Sequence, residues 1–226
     1  SIDVAQKVEA TGSGAITLNA GSGGISLGAN VASGGTVTLD SGGAIVQTAG
    51  NLVGAKTIES QGRRISYDCA GVTRAIYLAH GIDLFEGGAA DGKANGVGLI
   101  YNHLRKHGQL HRGPVVQAGD LVFFDNTWDY NGDGLVNDPL THVGIVERVE
   151  SNGTIVFISR VAGAIERYRM NVAHPHIHRT ADGRLLNDYM RRKHWRDGEQ
   201  TPYLTGELFA AFGTRVVESA SSPDRR

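Results

Sequence analysis

The chain is predicted to be an α+β protein, with helices packed on an antiparallel sheet, preceded by a short β-helix-like segment. Three observations carry that prediction. The first is a division of residue types: every aromatic and every histidine follows Arg64, starting with Tyr67, and from Ala10 to Ala55 the only charged residue is Asp40. The second is a 21-residue repeat inside that opening stretch. The third is the succession of periods after it, with helical spacing first and strand alternation second.

In the opening stretch, "GAITLNAGSGGISLGANVA" (14–32) lies over "GTVTLDSGGAIVQTAGNLV" (35–53). Ile16 matches Val37, Leu18 matches Leu39, Ile25 matches Val46, Asn30 matches Asn51 and Val31 matches Leu52. Alternation such as Ile16-Thr17-Leu18 turns apolar side chains one way, as in a half-buried strand, and Gly/Ser clusters supply the corners. Two strands per repeat is the pattern expected of parallel β-helix coils, whose stacked rungs bury a continuous apolar column. A flexible Gly/Ser linker is the other reading of this composition. Regular aliphatic placement favours strands, although two coils are fewer than the roughly three that such stacks need to stand alone. Residues 11–53 resemble the repeats of filamentous-haemagglutinin-type secreted adhesins.

The later part is built differently. Val72, Ala75, Ile76 and Ala79 share one face of a helix over 71–80, and Gly81 suits its C-terminal cap. A second helix is expected over 96–107, with Val97, Ile100, Tyr101 and Leu104 inward. "GDLVFFD" (119–125) reads as a strand. "HVGIVERVE" (142–150) and "TIVFISRV" (154–161) read as a hairpin turning at Asn152-Gly153. "GAIERYRM" (163–170) adds a further strand, and a short helix is expected over 206–217 before a polar, disordered tail. The division is therefore a repeat segment over 1–55, a mixed domain over 56–205, and a C-terminal helix and tail over 206–226.

Composition narrows the function classes. Hydrophobic residues make up 40% of the 226-residue chain, enough for a core, and a net charge of −1 argues against nucleic-acid or membrane-surface binding. No apolar run reaches the length of a membrane span. The single cysteine excludes an intrachain disulfide and leaves the compartment open. The chain opens on Ser1 without an apolar signal core, so a mature form or a fragment is expected.

That cysteine, Cys69 in "RISYDCAGVTRAIYLAHG", has two readings. A lone thiol is most often small apolar packing. At the first turn of a helix, however, unpaired N–H groups and the positive helix end favour the thiolate, and the same N–H groups can hold an oxyanion. A thiolate also needs a proton carrier. Among nine histidines, His142 opens a strand directly after "NDPLT". Gly144, two residues on along the same face, leaves room there for an approaching helix.

"YDCAG", "GDLVFF" and "HVGIV", in that order and spacing, resemble the NlpC-type cell-wall cysteine peptidases over about residues 55–170. The resemblance implies a papain-like fold, Cys69 as nucleophile and His142 as general base. It further implies that Asp68 anchors the substrate's free amino group and that Tyr67 lines the pocket. Two positions depart from the family pattern: Ala70 replaces a serine, and Ser159 stands where a polar residue, often histidine, orients the catalytic imidazole. Strand parity puts Ser159 on the His142 face, but about four residues from the direct partner unless a bulge intervenes. The implied substrate is the stem peptide of peptidoglycan, cut between D-glutamate and a diamino acid through a thioester, outside the cytoplasm: extracellular, periplasmic or at the cell surface. A CHAP-type amidase on the same fold and an inactive wall-binding adhesin fragment are the alternatives. Neither nucleic acid nor a membrane span is expected, and the oligomeric state is open.

Two further motifs stand apart. "DYNGDGLVND" (129–138) spaces oxygen donors as a calcium loop does, with Asp129, Asn131, Asp133 and the Leu135 carbonyl joined by Asn137 or Asp138. Leu140 occupies the position where a bidentate acid normally closes the shell, and a solvated acidic turn is the other reading. The thiol chemistry requires no cofactor; a structural Ca2+ would stiffen the loop that delivers His142. "AHPHIHR" (173–179) alternates three histidines, but Pro175 and the lack of an adjacent acid or cysteine favour an exposed edge over a zinc site. The basic run "RRKHWR" (191–196) reads as a solvated face anchored by Trp195.

Overall fold

The computed structural model describes the backbone of residues 2–4, 8–10, 16–19, 25–27, 31–33, 37–40, 42–60, 63–87, 94–113 and 115–215. Side chains are described from residue 45 onward, apart from 59–64. The tail expected beyond residue 215 lies outside the described residues.

The repeat segment forms β1 (Ile2–Val4), β2 (Val8–Ala10), β3 (Ile16–Asn19), β4 (Ile25–Leu27), β5 (Val31–Ser33) and β6 (Val37–Asp40). Each of the first three pairs in parallel with one of the next three. Ile2 lies beside Ile25, Val8 beside Val31, and Ile16 beside Val37. The last pairing reproduces the 21-residue repeat, Leu18 against Leu39 included. Each turn of chain therefore carries three strands, not the expected two.

The repeat fails where it matches Ile25 with Val46. That stretch is a helix, α1 (Gly42–Asn51). Ile45, Val46 and Ala49 are buried, and their one- and four-residue spacing makes a helical face. Ile45 and Ala49 join the core of the following domain, where α1 meets α2 and β11 below. The expected boundary at residue 55 thus falls too late, because α1 packs with the second domain.

A small antiparallel pair, β7 (Glu59–Ser60) and β8 (Arg63–Arg64), leads to α2 (Cys69–Leu78) and α3 (Gly96–His107). Then come β9 (Gly108–His111), β10 (Leu121–Phe124), β11 (His142–Val149), β12 (Ile155–Val161), β13 (Ala164–Met170) and β14 (Phe209–Arg215). These six strands form one antiparallel sheet in the order β13-β12-β11-β10-β14-β9. The protein is α+β, as expected.

Both faces of the sheet are covered. Leu121, Phe123, Val143, Ile145 and Ile158 face Ile76, Ile100 and Leu104 of the two helices. Val122, Phe124, Val146, Phe157 and Phe212 face the other way, where Met190 and Leu208 cover them. The helices approach closely: a Cβ on Gly96 would stand 2.8 Å from the Ala70 Cβ.

The helix expected over 206–217 is instead β14, a central strand between β10 and β9. Ala210 faces the helices and Phe212 the opposite core, so the segment is apolar on both sides and its strand period is hidden. A Cβ on Gly213 would lie 2.3 Å from Leu104 Cδ1. Phe209–Arg215 are therefore integral to the sheet. Among the described residues, no helix is long and apolar enough to cross a membrane.

Candidate active site

Cys69 is the first residue of α2. Asp68 is the N-cap, and its Oδ1 accepts the Gly71 N–H at 2.7 Å, satisfying one unpaired donor of the first turn. Ser66 donates to the other carboxylate oxygen. Gly71 is required by contact, because a Cβ there would sit 2.1 Å from the Ser66 carbonyl oxygen. Ala70 is buried against Gly96, so its small side chain serves helix packing.

Backbone N–H groups of Val143, Ala70 and Cys69 itself act on the thiol in favour of the thiolate. Val143 is the residue after His142, so the strand start and the helix start meet at this point, although 73 positions separate the two side chains. The imidazole's own partner is Ser159: His142 Nε2 lies 2.8 Å from Ser159 Oγ. No hydrogen bond joins the sulfur and the imidazole.

The Ser159 contact exists because the hairpin is not symmetrical. Glu150 N–H bonds to the Thr154 carbonyl and Gly153 N–H to the Glu150 carbonyl, which makes a three-residue loop with Gly153 at φ 79°. A second irregularity falls between Val146 and Arg148. Each moves the register by one residue. Ile145 consequently pairs with Ile158, and continuing that register puts Val161 opposite His142. Ser159 is two residues from the direct partner, not four, on a diagonal that an imidazole spans. Gly144 makes room for this approach. A Cβ there would come within 2.7 Å of Phe157 and 3.2 Å of Ser159 Cβ, so the glycine relieves the neighbouring strand rather than the helix.

The serine also settles the imidazole tautomer. Its hydroxyl proton goes to the Val143 carbonyl at 2.7 Å, so Oγ is left to accept from His142 Nε2–H. Nδ1 then carries the lone pair that Ser159 does not engage.

Electrostatics set the resting protonation. Burial pushes the Cys69 thiol up to about 11, the Asp68 charge adds to that, and the three N–H donors oppose it. Burial pushes His142 down to about 4; the Arg160 charge acts in the same direction and the Asp68 charge against it. The helix start was expected to favour the thiolate, but desolvation outweighs it. The resting pair is thiol and neutral imidazole.

Asp68 is exposed and, among the described residues, makes no ion pair, so the capping carboxylate still has lone pairs to offer a cation. Tyr67 donates its hydroxyl to the Ala55 carbonyl, which leaves its ring face as the wall. The Arg160 guanidinium covers that face at 5.1 Å. Sequence reasoning missed Arg160, whose buried Nε has no hydrogen-bond partner. A signal was present: alternation from Ile158 places Arg160 on the helix-covered face, where an arginine among aliphatics is out of place.

In the 125–141 loop, Asp129 accepts from the N–H groups of Gly132 and Gly134, Asn131 from Asp133, and Asp133 from Leu135. Asn137 donates to Asp133, while Asp138 is buried beneath the loop. Among the described residues, no three His, Cys, Asp or Glu side chains gather as a ready metal site. The alternating histidines are engaged separately, His176 with Glu207 and His178 with the Asn187 carbonyl. A cleft lined by Val116, Val149, Ile155, Val172 and Phe212 contains none of the residues around the thiol. No family model matches the chain, and no curated protein matches it either.

Proposed function

We propose that the chain is a papain-like cysteine peptidase of the NlpC type that hydrolyses peptidoglycan stem peptides outside the cytoplasm. The observation that carries the reading is the meeting of α2 and β11. The Val143 N–H acts on the Cys69 thiol in favour of the thiolate, and the preceding residue, His142, is held through Nε2 by Ser159. Catalytic hydrogen bonds are commonly long without substrate and tighten in the complex, so a thiol and imidazole without a hydrogen bond at rest are compatible with the reading.

The chemistry follows from these atoms. His142 Nδ1 takes the thiol proton as sulfur attacks the peptide carbonyl, and backbone N–H groups at the start of α2 receive the oxyanion. The imidazolium returns its proton to the leaving amine. Water, deprotonated by the same nitrogen, then cleaves the thioester. A γ-linked D-glutamyl residue keeps a free α-carboxylate, for which Arg160 offers a cation, while Asp68 would meet the free amine. The choice of bond rests on the motif resemblance.

Digestion of purified peptidoglycan with the full chain, followed by mass analysis of the released fragments, tests the proposal. Cleavage between D-glutamate and the diamino acid that is lost in Cys69→Ala and His142→Ala is the expected result. Release of whole stem peptides with a new N-terminal alanine would make the protein an amidase. Binding to the polymer with no release would make it an adhesin.

A further inference from the structure

The loop between β10 and β11 holds four carboxylates, Asp125, Asp129, Asp133 and Asp138, and no described cation pairs with any of them. Asp129, Asp133 and Asp138 form no salt bridge among the described residues, and the nearby Arg196 side chain lies along Gly134. Asp133 is surrounded by neutral donors, the side-chain amides of Asn131 at 3.1 Å and Asn137 at 2.9 Å.

Asp138 supplies the independent observation. It is only 3% exposed. Its Oδ1 accepts the Asn131 N–H at 3.2 Å, which holds the carboxylate against the loop, and its Oδ2 is buried with no hydrogen-bond partner. A buried carboxylate oxygen without a donor is costly, more so for a charged group. Asp138 is also fixed from behind: its N–H goes to Asn126 Oδ1 at 2.7 Å and its carbonyl accepts the Asn126 N–H at 2.8 Å. The orphaned oxygen therefore cannot leave by a swing of the chain.

The donors above it belong to one chemical class. Asp129, Asn131 and Asp133 present oxygens at alternate positions, each oriented by a backbone N–H, and Gly132 and Gly134 take the positive φ values, 76° and 79°, of a tight loop. Hard oxygen ligands, mixed carboxylate and amide, in an open and adjustable loop suit Ca2+ better than Mg2+, which demands a near-ideal octahedron. Asn137 is spent on Asp133, so Asp138 is the residue that completes the shell.

We propose that residues 129–138 bind one Ca2+ through the side chains of Asp129, Asn131 and Asp133, the Leu135 carbonyl and Asp138 Oδ2, with water filling the remaining positions. The bound ion braces the loop that ends four residues later at His142. The proposal is independent of the thiol chemistry and is tested without it.

Trp128 and Tyr130 flank the site with ring centroids 5.1 Å apart, close enough to sensitise a bound lanthanide. Tb3+ titrated into the full chain should give saturable, one-site sensitised luminescence that Ca2+ displaces. Ca2+ affinity should fall in the range of about 10⁻⁵–10⁻³ M. Asp138→Asn and the exposed Asp133→Asn should each weaken Ca2+ at least tenfold, and Asp182→Asn, on another turn, should leave it unchanged. Absence of saturable emission, or wild-type Ca2+ affinity in either loop variant, would overturn the proposal.

Discussion

Replacing Ser159 with alanine tests how the imidazole is held. The hydroxyl has two buried partners, the His142 Nε2–H and the Val143 carbonyl, and Ser159 is itself only 2% exposed. Its loss leaves both without a mate, at about 1–3 kcal/mol each, so a fall of about 2–4 kcal/mol in stability is expected. The catalytic effect is separate. At rest, the Nε2–H···Oγ bond is neutral and worth about 1 kcal/mol, but when His142 has taken the thiol proton the same bond carries a charge and is worth about 1.5–3 kcal/mol. Losing a bond that strengthens by about 0.5–2 kcal/mol in the transition state lowers kcat by about 2–30-fold, with KM within about twofold. Steady-state cleavage of a synthetic stem peptide measures both constants, and thermal unfolding measures stability. Ser159→Thr retains the hydroxyl on the side where Gly144 leaves space and should recover most of kcat. A Ser159→Ala enzyme with unchanged kcat and a lowered Tm would show that the serine pins two strands and nothing more.

Four further outcomes are expected. The pH profile of kcat/KM should be a broad plateau, with an acid limb near the His142 value of about 4 and a base limb near the Cys69 value of about 11; a fall beginning near pH 8 would instead reveal an ion pair at rest. Stability should decline as pH drops from about 6.5 to 4, because the unfolded chain protonates His142 and the folded one does not, by up to about 3 kcal/mol in chemical denaturation. Gly144→Ala places a Cβ 2.7 Å from Phe157, and overpacking of this kind should cost about 1–3 kcal/mol in denaturant midpoint measurements, with kcat falling as Ser159 is displaced. Asp68→Asn keeps an N-cap acceptor but removes the charge, so Tm should hold while KM rises severalfold for substrates with a free amino terminus and stays level for N-acetylated ones.

Much of this arrangement is legible in the residues, and the losses have definite causes. The span of α3 follows from its helical period, and β11, β12 and β13 follow from β-branched apolar runs bounded by glycine-containing turns. β14 was hidden because both of its faces are buried, and an apolar run such as Phe209–Gly213 carries no alternation to read. α1 was hidden by a repeat whose apolar positions suit a coil and a helix equally, and only the presence of α2 and β11 decides between them. The Ser159 register depended on a bulge that leaves no mark in local composition. Its parity was right, and the distance was not. Arg160 was legible in principle as a charge on a covered strand face, but the ring of Tyr67 that covers it comes from a different element.

The neutral resting pair reassigns the work of the helix start. Where a thiolate preexists, N–H groups at the first turn serve mainly to stabilise sulfur. Here burial raises the thiol beyond what the N–H groups of Val143, Ala70 and Cys69 can offset, so in the proposed reaction charge would be created only as the proton moves to His142. Negative charge then passes from sulfur to the carbonyl oxygen within reach of the same dipoles, which need no reorganisation to receive it. Positive charge on the imidazole is opposed by Arg160 and favoured by Asp68. A substrate carboxylate neutralising Arg160 would remove the opposing charge as it binds, and the base would strengthen only when an anionic substrate is in place. A buried, uncharged dyad of this kind stays unreactive toward small electrophiles in water and gains basicity with occupancy, so slow alkylation of Cys69 by iodoacetamide at pH 6 is compatible with rapid turnover of the polymer.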